Sequence, residues 1–135
     1  MREIRLLEAQ RQDIVIALDE ACYQFQKNAQ EAIRNGMHVN VDFTVSGVAQ
    51  LLAQNTQLIE DVCRYGERTK SLTDKLTHVD SRLDELYRSK FEEIIGMYSQ
   101  NPLFAADIEF YRQNFQVALN DRNAANFLEN MLIRL

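Results

Sequence analysis

VAQLLAQNTQLIEDVCRYGERTKSLTDKLTHVDSRLDEL, residues 48–86, is the stretch on which the fold turns. Val48, Asn55, Val62, Thr69, Leu76 and Leu83 form one column, and Leu51, Leu58, Tyr65, Leu72, Val79 and Leu86 form a second. The columns alternate at spacings of three and four, the pattern of a helix that packs along another helix. Past Leu86 the stripe drifts onto Tyr87, Phe91, Ile94, Ile95 and Tyr98, so the helix changes neighbours there. One long helix over 47–99 is expected, roughly 80 Å if unbroken at 1.5 Å per residue. Its weak points are Gly66, where glycine costs about 1 kcal/mol relative to alanine, and the segment around His78.

Upstream, residues 1–35 carry a matching stripe: Ile4, Leu7, Ile14, Leu18, Ala21, Phe25 and Ala32, interrupted by Arg11 and Asn28. Arg11 can lay its apolar stem along this stripe and keep its charge at the rim. Flanking Leu6, Val15, Ala17, Cys22 and Ile33 widen the apolar surface beyond a two-column seam. Asn35-Gly36 is a stop signal, because glycine just past a helix end can adopt the left-handed cap. Between the helices, Met37, Val39, Val41, Phe43 and Val45 alternate with polar residues. That period of two predicts an extended connector over 37–45, either plugging the end of a bundle or pairing with a strand of another chain.

Downstream, Asn101-Pro102 closes the long helix and starts another, since proline suits a first helical turn. Leu103, Phe104, Ile108, Tyr111, Phe115 and Leu119 make one face, and Asn120-Asp121-Arg122-Asn123 reads as a break with Asp121 or Asn123 as the new cap. A last helix carries Ala124, Phe127, Leu128, Met131, Leu132 and Leu135. The expected fold is all-α and a single domain over 1–135. In it an antiparallel helical hairpin or coiled coil, with a long central helix, is joined by one or two C-terminal helices over 102–135.

The totals agree with that pattern. A chain of 135 residues can bury a core without metals or disulfides, and one proline with four glycines leaves few turns for a β fold. The net charge of −5 argues against nucleic acid, whose binding starts from a basic face. Arg112, Arg122 and Arg134 are too few to build a membrane-binding face, and no apolar run reaches the length of a membrane span. Met1-Arg-Glu-Ile-Arg runs into a charged helix and does not resemble a signal peptide, so cytosolic residence is expected. Cys22 and Cys63 have no CxxC or metal-ligand spacing and read as buried free thiols.

Catalytic patterns do not assemble. His38 and His78 have Asn35 and Lys75 three positions earlier, where a di-iron bundle places glutamates. No phosphate loop, dinucleotide fingerprint or nucleophile elbow is present. Adjacent acids such as Glu92-Glu93 and Asp84-Glu85 point about 100° apart on a helix and form no acid–base pair. Asp84 with Arg88 and Asp61 with Arg64 read as weak surface pairs. Neither an enzyme nor a bound cofactor or metal is expected.

Two surfaces remain as candidate protein-binding sites. One is the seam of Leu58, Val62, Tyr65, Leu72, Leu76 and Leu83, in which the polar Asn55 can set register. The other is the aromatic face of Phe91, Tyr98, Phe104 and Phe115, whose competing reading is that it completes the chain's own core. A narrow seam favours a homodimer. The expected function is a small helical interaction module, an adaptor, assembly factor or secretion-type chaperone. The alternatives are a structural coiled-coil subunit of a larger complex and a small-molecule sensor with a pocket between the helices of a dimer.

Overall fold

The computed structural model of the protein describes the backbone of residues 1–38 and 45–135 and the side chains of 1–34 and 56–135. Among the described residues the regular structure is all helix: α1 (Arg2–His38), α2 (Val45–Tyr98), a 3-10 turn over Pro102–Phe104, α3 (Ala105–Asn120) and α4 (Ala124–Arg134). Helices α1 and α2 form the expected hairpin, with α2 as the long central helix.

Two expectations about helix ends are corrected. Helix α1 passes through Asn35-Gly36 to His38, and α2 begins at Val45. Met37, His38 and Val45 are therefore helical and do not belong to an extended connector. Adding a residue to an existing helix gains a backbone hydrogen bond, whereas a lone extended run gains none. The rest of the predicted connector lies outside the described residues, and so do the side chains of Val48, Leu51 and Asn55. Neither weak point breaks α2, which is continuous through Gly66 and His78.

The chain divides into two compact units, one of Met1–Gln12 with Thr77–Leu135 and one of Asp13–Leu76. The first is built around aromatic packing. Phe91 of α2 stacks flat on Phe115 of α3, with ring centroids 4.0 Å apart. Tyr98 meets Phe104 and Tyr111 edge-on at 4.8 and 5.4 Å, arrangements that aromatic quadrupoles favour. Ile94, Tyr98, Leu128 and Met131 are completely buried. The Tyr98 hydroxyl donates to the Met131 carbonyl, so burial leaves no orphaned phenol.

Local signals place the joints of this unit. The Asn101 side chain accepts from the Leu103 amide at 3.0 Å, and Pro102 takes the first position of the turn. At the end of α3 the Asn123 amide reaches the Ala118 carbonyl at 2.8 Å and the Arg122 amide reaches Leu119 at 3.3 Å. This is a Schellman closure, and Arg122 adopts the left-handed φ of 55° that it requires. Asn123 caps α4 by position: its side chain makes no capping bond to a backbone amide, and its Oδ1 accepts instead from the Asn126 side chain at 2.9 Å.

In the second unit α1 and α2 pack along the predicted stripes. Ile14 and Ala21 are buried, while Leu18, Leu58, Val62, Tyr65, Leu72 and Leu76 remain half-buried. Gly66 serves this contact. A Cβ at that position would stand 3.3 Å from Cε2 of Phe25, so the missing side chain lets the Phe25 ring approach the helix. What read as a soft point is a clearance.

Candidate protein-interaction site

The predicted seam is split between the two units. Leu58, Val62, Tyr65, Leu72 and Leu76 lie in the Asp13–Leu76 unit and are half-buried. Leu83 lies in the other unit and is buried. Two helices can cover only one strip of each other, so the apolar side chains flanking the strip stay partly open to water. Phe25 and Ile59 are exposed beside it. A third helix laid along the hairpin would complete this packing.

The predicted aromatic face has a different fate. Phe91, Tyr98 and Phe115 are inside the protein's own core, and Phe104 is half-buried at its edge. A partner could touch the first three only by lifting α3 from α2. The competing reading, packing of the C-terminal segment against Phe91, Ile94 and Tyr98, describes their contacts. Leu103 departs from its predicted face and is 87% exposed, because the 3-10 turn directs Phe104 inward in its place.

Exposed apolar residues that the seam reading passed over lie elsewhere. Leu103, Phe110 and Val117 recur every seventh residue and are exposed. On α1, Ile16 and Tyr23 are exposed on the side away from the buried stripe, and Leu6 and Ile33 are exposed on its flanks. The signal for them was present in the sequence as a second, sparser apolar periodicity.

Charged groups in the first unit are mostly tied to one another. Arg5 donates to both carboxylate oxygens of Glu129 at 2.9 and 2.6 Å, to Asn126 at 2.9 Å and to Glu8 at 3.1 Å. The fork geometry of guanidinium suits a carboxylate, and the pairing holds Glu129 below the usual carboxylate range while raising Arg5. Arg11 keeps its charge at the rim as expected, bonding Asp80 at 2.6 Å. The Tyr87 hydroxyl donates to Glu8 at 2.7 Å, and burial pushes its phenol up. The expected surface pairs Asp84–Arg88 and Asp61–Arg64 are both formed.

A cleft of about 460 Å³ in this unit is lined by Glu8, Arg11, Asp80, Asp84, Tyr87 and Arg122, among others. Its acids are already engaged by Arg5, Arg11, Arg88 and Tyr87, and a phenol held protonated is a poor base. Cys22 is half-buried and Cys63 exposed, so the expectation of a buried thiol fails at Cys63, which sits one residue beyond the seam position Val62. Among the described residues no group of His, Cys, Asp or Glu could hold a metal ion, and no helix is long and apolar enough to cross a membrane. No protein-family model, curated protein or solved structure matches the chain.

Proposed function

We propose that the protein is a helical interaction module, of the adaptor, assembly-factor or secretion-chaperone kind, that holds an amphipathic helix of another protein against the hairpin of residues 13–34 and 56–76. One observation carries the reading. Among the described residues of that unit only Ile14 and Ala21 are buried hydrophobics, while five seam residues, Leu58, Val62, Tyr65, Leu72 and Leu76, are half-open. A helix-in-groove contact needs such a strip, read by apolar anchors one turn apart. The net charge of −5 favours a protein partner over nucleic acid.

The test is a pull-down from the native host with mass spectrometry, comparing three forms of the chain. Replacing Leu72 and Leu76 by Asp places charges in the strip and should abolish partner capture. Replacing Arg64 and Arg68 by Asp changes exposed positions and should leave it intact. A partner retained equally by both variants would sink the proposal. A structural subunit without client binding predicts a different outcome, in which the isolated chain melts without cooperativity.

A further inference from the structure

We propose that the outer face of α1, over residues 13–34, binds a second copy of this chain in antiparallel orientation. Four charged residues stand in one line at intervals of seven: Asp13, Glu20, Lys27 and Arg34. Two acids are followed by two bases. All four are exposed, and none forms an ion pair among the described residues. Beside them runs a second line, Ile16, Tyr23 and Gln30, in which Ile16 is 56% and Tyr23 is 61% exposed. Both lines lie opposite the stripe of Ile14, Leu18, Ala21 and Phe25 that faces α2.

The charge order selects the occupant. A two-fold dimer uses one patch twice, so that patch must complement itself. A two-fold axis crossing α1 between residues 23 and 24 sets Asp13 against Arg34 of the second copy and Glu20 against its Lys27. One axis satisfies both pairs, because each pair is centred on the same point of the helix. The pairs fall on the same edge of the helix, which is the edge that such an axis brings together. Tyr23 lies at the axis and meets its own copy, giving the contact an aromatic centre with charged margins. Parallel association would instead place acid beside acid and base beside base, which is unfavourable. The shared length is about 30 Å at 1.5 Å per residue, three heptads. This face is distinct from the hairpin strip assigned to a partner helix, so the two proposals stand or fall separately.

Sedimentation equilibrium of the full chain tests it. The unsubstituted protein should be a dimer whose dissociation constant rises with salt, since exposed pairs are screened over about 10 Å at 0.1 M ionic strength. Glu20→Lys and Lys27→Glu, each alone, should raise that constant roughly tenfold or more by creating like-charge contacts. The double variant Glu20→Lys/Lys27→Glu exchanges the charges but keeps their complementarity, and should return the constant to within about threefold of the original. Circular dichroism and melting should show all three variants folded, since the positions are exposed. A monomer at about 100 µM would overturn the proposal. So would a double variant no better than its parents, or a dimer lost with Leu72→Asp/Leu76→Asp but indifferent to the charge changes.

Discussion

Tyr98 is a polar residue at the most buried point of the aromatic unit, and its hydroxyl decides what burial there costs. It donates to the Met131 carbonyl, and burial pushes its pKa up to about 12 from an ordinary 10.0. Tyr98→Phe should cost about 1–3 kcal/mol, because the carbonyl is left buried without its donor. The pH dependence has a fixed sign. A phenol whose folded pKa is raised contributes stability fully present below the unfolded value, lost as pH rises through the folded value. Thermal melts taken from pH 9 to about pH 11.5 should therefore show alkaline destabilisation that is weaker in Tyr98→Phe. An identical alkaline slope in both proteins would contradict the assignment. Arg122 makes the complementary point, since the closure of α3 requires a left-handed residue there and sequence patterning marked only a break.

At the scale of one element, Gly66 and Gly96 of α2 have opposite surroundings. A Cβ on Gly96 would meet nothing within 4 Å, whereas one on Gly66 would face the Phe25 ring at 3.3 Å. Alanine at Gly96 should stabilise the protein by about 0.5–1 kcal/mol, a rise in Tm of roughly 2–4 °C. Alanine at Gly66 gains the same helix propensity but must displace Phe25, so its Tm should rise less or fall. Equal gains in differential scanning calorimetry would show that Phe25 does not rest on Gly66. The same helix shows how far periodicity reaches. The columns from Leu58 to Leu86 marked the strip facing α1, and the drift onto Phe91 and Tyr98 marked the change of neighbour, because both follow from the helical repeat alone. Helix ends were harder. Pro102 and the run 120–123 are local stop signals and were legible, but Gly36 did not stop α1, since a single glycine costs only about 1 kcal/mol against continued hydrogen bonding.

At the scale of the whole molecule, the described packing joins residues that are remote in the chain. Arg5 and Glu129 are separated by 124 positions and form a bidentate pair between α1 and α4. Glu129 has a depressed pKa, so its contribution is present above the unfolded carboxylate value and disappears as pH falls through the folded one. Glu129→Gln should lower Tm at neutral pH, and the gap to the unsubstituted protein should close as acid protonates the Glu129 carboxylate, at a lower pH than an unpaired glutamate needs. A gap that persists after that protonation would mean the pair is not what ties the helices. Such a pair could not be found from residue order, because nothing near Arg5 in the chain names its partner. The same holds for the outer line of Asp13, Glu20, Lys27 and Arg34, whose spacing is written in the chain but whose exposure is not. Residue order was enough for the all-α class, the long central helix and the aromatic turn toward the C-terminus, since helical periodicity depends only on neighbours within a few turns. Which of those apolar and charged positions are consumed inside the chain and which stay open to a partner was decided by packing between distant segments: Phe91, Tyr98 and Phe115 closed the core of one unit, and two helices were too few to close the strip of the other.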